Sequence, residues 1–374
     1  MSGNRPNVTD RPRYHAHMPR AARVLTFACL ALACLAPSAR TGEPAAPSKH
    51  PSRNLAILLF NGVQIIDYTG PYEVFGHVYA FDQPVPFNTY TVAERTTAIT
   101  TAMGMSVNPR FSLDEAPPPD VIIVPGGNVS AALESRKVLD WLTGASRHAE
   151  IVMSVCNGAF ILAQAGLLDG LEATTTAFLT ERLRAAAPRT RINSGVRFVD
   201  NGKIITTAGL SSGIDGSLHV IERLYGRGTA QAAALSMEYN WDPNSTYARG
   251  ALADKYLPNQ FNIESVAKTW VPVRREGGLD HWQSQWTVTS GAVAADLMQH
   301  VEEAFAHPDY FPRAPRVSWQ KLGETRSADE LRSVWRFSDE AGAPWDGAVS
   351  VKRVGAEGDT YLVTVGVTEA SPSK

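Results

Sequence analysis

Cys156 is the residue best placed to do chemistry. It follows the apolar run Ile151-Val152-Met153-Ser154-Val155 and precedes Asn157-Gly158, beyond which Gly158 to Leu168 has helical apolar spacing. A thiol on such a strand-to-helix turn stands above the sheet with helix amides directed at its sulfur, an arrangement expected to favour thiolate and lower the pKa from its free value of about 8.5. The plain alternative is a small buried hydrophobe, the usual lot of a free cysteine. Asp67 follows Ile65-Ile66 and precedes Tyr68-Thr69-Gly70-Pro71. Near a sulfur its carboxyl would have a raised pKa and could deliver and retrieve protons around neutrality; otherwise it caps a helix expected from Pro71. Pro125-Gly126-Gly127 closes the apolar run Val121 to Val124. Its bare amides could face a developing negative charge, or simply make a tight turn. His77, His148, His219, His281, His300 and His307 show no metal-ligand spacing, so no metal and no cofactor are expected. Asp215 is expected to be structural, and His219 a core or groove residue rather than a base.

These groups need a scaffold of buried strands. Leu55 to Phe60, Val121 to Val124 and Ile151 to Val155 are continuous apolar runs, the mark of strands covered on both faces. Residues 88–102 alternate like a surface or edge strand, and helices are expected near 129–148 and over Ser212 to Tyr225. Asp200-Asn201-Gly202 between two apolar stretches signals a hairpin. Strands alternating with helices imply an α/β domain over 54–250. Beyond it the texture changes. Six of the eight tryptophans lie past residue 262, and residues 260–374 read as a small α+β module. It has a helix over 291–306 and strands near 284–289, 316–320, 347–354 and 360–367. Ser327-Ala328-Asp329-Glu330 reads as a capping box opening a further short helix. The tryptophans are either core residues or the lining of a partner or glycan surface.

The chain of 374 residues carries 35 basic and 37 acidic side chains. Arg20 and Arg23 precede the apolar stretch Val24 to Ala36, which gives way to Pro37-Ser38-Ala39. Residues 1–40 therefore read as a signal peptide and 41–53 as a Pro- and Ser-rich linker, with a periplasmic or secreted destination. Ala33-Cys34 offers a lipoprotein junction to which Leu32 is poorly suited, and Met18 is an alternative start. Without residues 1–40 the chain holds 29 basic and 36 acidic groups and a single cysteine, Cys156. That balance gives no electrostatic footprint for nucleic acid, and no apolar run is long enough to span a bilayer once the signal is removed.

Taken together, several segments resemble the ThiJ/PfpI superfamily, the class I glutamine amidotransferase-like fold. They are Asp67-Tyr68-Thr69-Gly70-Pro71, Val124-Pro125-Gly126-Gly127, Ser154-Val155-Cys156-Asn157-Gly158, Ala173-Thr174-Thr175 and Thr207-Ala208-Gly209 through Asp215. The likeness is to the isocyanide (isonitrile) hydratase branch and to the amidase-like domains of AraC-type regulators. It covers about 55–250 and leaves 260–374 without a counterpart. It implies a flavodoxin-like three-layer sandwich around a parallel sheet and a homodimer. It also implies metal-free addition of water to a small electrophile, with Cys156 as nucleophile and Asp67 as acid/base. Gly126, Gly127, Asn157 and Thr69 would then surround the substrate. Two departures stand out: Asn157 occupies the place of a threonine, and Thr176-Ala177 that of His-Trp. The expectation is an exported cysteine hydratase acting on an isocyanide or similar electrophile. The alternatives are a thiol sensor or ligand-binding module and, further off, a transcription-regulator-like domain.

Overall fold

The computed structural model describes residues 52–78, 86–245, 247–258, 261, 265–306, 317–354 and 359–370. The expected signal segment, the lipoprotein junction and all but the last two linker residues lie outside the described residues.

The first strand, β1 (Arg53–Leu58), is apolar from Leu55 and wholly buried there, and it opens one residue inside the expected linker. Helix α1 (Ile65–Gly76) follows. It begins six residues before Pro71, so the helix expected to start at that proline instead contains it. Pro71 has no N–H to give to the carbonyl four residues back, which leaves the Asp67 carbonyl without its helical partner. Next come β2 (Phe87–Ala93) and the short strands β3 (Ile99–Thr100), β4 (Ser106–Val107) and β5 (Phe111–Ser112). Strand β6 (Val121–Val124) leads to α2 (Ser130–Glu134) and α3 (Arg136–Ser146). The single helix expected near 129–148 is broken at Ser135, whose extended backbone lets its hydroxyl accept the Val138 N–H and cap α3. Strand β7 (Ile151–Ser154) enters α4 (Gly158–Gln164). Then follow β8 (Glu172–Ala173), α5 (Thr180–Ala186), β9 (Arg191–Ile192), β10 (Phe198–Asp200), β11 (Ile204–Thr207), α6 (Ser212–Tyr225) and α7 (Arg227–Ser236).

Seven of these strands form one sheet in the order β10-β11-β7-β6-β1-β2-β5. All neighbours run parallel except the β10–β11 hairpin at the edge. The alternating segment at 88–102 is thus not an edge: β2 lies between β1 and the two-residue β5. Helices α1, α6 and α7 pack together, as do α2, α3, α4 and α5, and the four central strands are buried on both faces, giving the flavodoxin-like three-layer arrangement. The C-terminal ends of β6 and β7 lie side by side, with Val124 paired to Ser154. The motifs that follow those strands therefore emerge together at one edge of the sheet, where open α/β sheets bind ligands.

A second, antiparallel sheet is built from β12 (Thr269–Gly277), β13 (His281–Thr289), β14 (Gln320–Arg326), β15 (Glu330–Ser338), β16 (Pro344–Arg353) and β17 (Thr360–Glu369), in the order β12-β13-β17-β16-β15-β14. Helix α8 (Ala294–Ala306) packs on β15 and β16. Alternate residues such as Leu331, Trp335, Val349, Val363 and Val365 face a core shared with Leu297, Val301 and Phe305. The short helix expected from Ser327 is absent. Ser327 caps a turn instead, its hydroxyl accepting the Glu330 N–H at 3.1 Å, and the chain continues as β15. Period-two burial of Leu331, Ser333, Trp335 and Phe337 decides for strand where the local motif suggested helix. Trp286, Trp335 and Trp345 are buried, and Trp270, Trp282 and Trp319 pack against the same cluster, so the tryptophans are core residues.

Candidate active site

Cys156 follows β7 directly, with its backbone in the left-handed region at φ 56°. A non-glycine residue held there makes a sharp turn that lifts the side chain off the strand. Two contacts hold the turn: the Cys156 N–H donates to the Ala208 carbonyl at 2.8 Å, and the Thr175 hydroxyl donates to the Cys156 carbonyl at 2.9 Å. Gly158 begins α4 against β6, where a Cβ would come within 2.1 Å of the Val124 carbonyl oxygen. Only glycine permits that approach.

Asp67 lies in the first turn of α1 and is completely buried. Its Oδ2 accepts the Gly126 N–H at 3.1 Å, whereas Oδ1 has no partner at hydrogen-bonding geometry. The carboxyl nonetheless lies close enough to the Cys156 thiol for each group to bias the other's proton. Burial raises Asp67 to about 6, while the Gly126 amide and the thiol draw it down. Burial, followed by the Asp67 charge, pushes Cys156 up to about 12, against N–H groups of Asn157 and Leu210 that favour thiolate. The expectation of a lowered thiol pKa is therefore corrected. The Asn157 amide at the start of the seven-residue helix α4 and the Leu210 amide in the turn before α6 are outweighed by desolvation and by a neighbouring carboxylate. At neutral pH the pair rests as thiol and carboxylate, with one proton between them.

The remaining expected residues fall into two groups. Gly126, Gly127 and Asn157 join Asp67 and Cys156 in one cluster. The amides of both glycines already have protein partners, Asp67 for Gly126 and the Asn157 Oδ1 for Gly127 at 2.8 Å. Asn157 also donates from Nδ2 to the Gly127 carbonyl at 2.8 Å. The glycines thus organise side chains here rather than presenting free donors. Thr69 stands apart, its hydroxyl donating back along α1 to the Ile65 carbonyl at 2.8 Å. Asp215 is structural as expected: it pairs with Arg197 and accepts the Tyr239 hydroxyl at 3.0 Å. His219 bridges to Asp200 at 2.8 Å and stacks on Phe198, away from the cluster. Among the described residues no group of His, Cys, Asp and Glu is arranged to hold a metal.

Sequence reasoning about single residues missed Thr175, Ala208 and Leu210. Leu210 also has a left-handed backbone, at φ 51°, and its amide reaches the thiol. Their signal lay in whole segments, Ala173 to Thr175 and Thr207 through Asp215, since the groups used are mostly backbone and carry no side-chain signature.

Residues 53–223 match the DJ-1/PfpI family. Isonitrile hydratase of Pseudomonas putida is 33% identical over 186 residues, covering 50% of this chain and 78% of that protein. The HTH-type transcriptional regulator GbdR of Pseudomonas aeruginosa is 29% identical over 136 residues, 36% of this chain and 37% of the regulator, so the chain spans little more than a third of that relative. A solved THiJ/PfpI family protein from Pseudomonas syringae is 26% identical with a TM-score of 0.47, covering 56% of this chain and 86% of its own. By the family match over residues 53–223 and the identity to an isonitrile hydratase, the chain belongs to the DJ-1/PfpI family.

Proposed function

We propose that this protein is a cysteine-dependent hydratase that adds water to an isonitrile, or to a small electrophile of the same kind, and releases an N-substituted formamide. The observation that carries this reading is the pairing of a wholly buried Asp67 with the Cys156 thiol on its left-handed turn. The identity to an isonitrile hydratase supports the substrate class.

The resting thiol and carboxylate suit this chemistry. As sulfur bonds to the terminal carbon of the isonitrile, Asp67 takes the thiol proton and passes it to that carbon, leaving a thioimidate on Cys156. Water then adds to the same carbon, with one of its protons going to nitrogen. Breaking the carbon–sulfur bond forms the formamide carbonyl, and the hydroxyl proton returns through Asp67 to sulfur. The Asn157 and Leu210 amides receive the departing sulfur while it carries charge. Neither step needs an oxidant, a reductant or a metal.

A stress-sensing thiol is less well served by this site: thiol oxidation proceeds through thiolate, and burial and the Asp67 charge both favour the protonated Cys156. A DNA-binding regulator is disfavoured by the described residues beyond 265, which form an antiparallel sheet with a single helix. Export and homodimerisation are part of the proposal. They are checked by N-terminal sequencing of the protein recovered outside the cytoplasm and by light scattering. The function itself is tested by turnover of cyclohexyl isocyanide. Formamide that accumulates over many equivalents of enzyme and disappears in Cys156→Ala supports it, and a wild type that makes none rejects it.

A further inference from the structure

The Asn157 carboxamide is the least expected part of the site. Both its ends are consumed by one peptide unit: Oδ1 accepts the Gly127 N–H and Nδ2 donates to the Gly127 carbonyl, each at 2.8 Å. A side chain spent in this way has little left for a substrate. What it does hold is the strand end that faces Asp67. The Gly126 N–H donates to Asp67 Oδ2, and the Gly126 carbonyl accepts from Gln64 N at 2.8 Å, just ahead of α1. The fit is close. A Cβ on Gly126 would lie 2.2 Å from Asn157 Oδ1 and 2.9 Å from Asp67 Oδ2. Gly127 is held at φ 126°, a backbone conformation that strongly favours glycine, with a Cβ position 2.2 Å from the Gly62 carbonyl.

We propose that Asn157 is the positioning residue of this site: it clamps Gly127 and thereby aims the Gly126 amide at Asp67, which fixes the acid/base against the nucleophile that precedes Asn157 in the chain. The inference deepens the hydratase reading by assigning Asn157 to the orientation of Asp67 rather than to the substrate. Two separate chain segments, the turn after β6 and the turn after β7, are locked together by one side chain. The lock transmits to the carboxyl through a single donated N–H. Cys156 is the titratable group that acts on Asp67, so a change in the carboxyl reads out at the cysteine.

The test is an NMR titration of full-length protein carrying 13C at Cys Cβ, with Cys29 and Cys34 replaced by serine so that Cys156 gives the only signal. The wild type should show an inflection near about 6 as Asp67 ionises. In Asn157→Ala the Gly126 N–H is no longer held on the carboxyl, and that inflection should move up by about half a pH unit or more. Water entering the space left by the side chain would move it down, so the direction separates the two effects. An inflection that stays or falls in a folded Asn157→Ala overturns the clamp. Asn157→Ser, whose side chain is too short for both bonds to Gly127, carries the same readout if the alanine variant does not fold. Failure of both to fold would make Asn157 a folding residue and overturn the proposal equally. The label reads the pair and not turnover. A shifted inflection without formamide production would therefore reject only the hydratase.

Discussion

Asp67 and Cys156 displace each other's protons in opposite senses: the carboxylate lifts the thiol, and the thiol draws the carboxyl down. The net effect is a gap between about 6 and about 12, within which the acid is ionised and the nucleophile is not. That ordering suits a reaction in which attack and proton removal occur together. It does not suit one that needs a standing thiolate.

The first consequence concerns activity. Cys156→Ala should abolish turnover. Asp67→Asn, which keeps shape and burial but no longer takes a proton, should lower kcat by about 100-fold or more. Formamide production at saturating isonitrile is the measurement. An Asp67→Asn variant within tenfold of wild type would remove Asp67 from the proton path.

The pH dependence follows from the same two groups. kcat/KM should rise with pH through about 6 as Asp67 ionises, and stay level well into the alkaline range because the thiol holds its proton to about 12. A rise centred near 8 to 9 would instead report a free thiol ionising as the nucleophile.

Stability should run against activity at this position. Asp67 holds its proton more tightly folded than unfolded, since burial raises it from 3.8 to about 6. Between those values the folded chain binds more protons, so stability is lost as pH rises through that window, by up to about 3 kcal/mol. Asp67→Asn carries no such cost. It should melt higher than wild type at pH 7, with the difference shrinking toward pH 4, as calorimetry at the two pH values would record.

Gly126→Ala should disturb the cluster while leaving both reacting residues unsubstituted. Its Cβ would fall 2.2 Å from Asn157 Oδ1 and 2.9 Å from Asp67 Oδ2. Relieving that overlap should cost about 1–3 kcal/mol and displace the carboxyl. A variant that melts with wild type and retains full turnover would show that the strand end is not confined as described.

Much of this site was legible because its chemistry sits on side chains in sharp local contexts. Cys156 stands between a buried strand and a glycine-led helix, and Asp67 after paired isoleucines. The direction of the thiol shift was not legible. It depends first on how deeply the thiol itself is buried and then on the charge of a residue 89 positions earlier, neither of which a local pattern reports. The roles of Gly126 and Gly127 were misread for a related reason, because a free amide and one already taken by Asn157 look the same in sequence. In the second sheet, the Ser327 capping signal is satisfied equally well by a turn before a strand. The tie was broken by partners on β16 that lie some 20 residues further on.

The least legible region was the segment after α7, and there the structure makes its own prediction. Arg249 pairs with Asp254 at 2.7 and 2.5 Å, and its guanidinium lies 5.2 Å from the Phe178 ring and 5.9 Å from Trp282. Phe178 follows β8 on the first sheet's side, and Trp282 belongs to β13, so one planar cation touches rings from both halves. Beside it Gly250 approaches the Ser194 carbonyl so closely that a Cβ would lie 1.9 Å away. Arg249→Ala removes the ion pair and both ring contacts and should destabilise the protein by about 1–2 kcal/mol. Arg249→Lys, which keeps the charge but not the plane, should fall between. Chymotrypsin should then cut faster at Tyr247, which is already exposed. Equal cutting rates and melting temperatures for Arg249→Ala and wild type would mean that the two sheets are held together by other contacts.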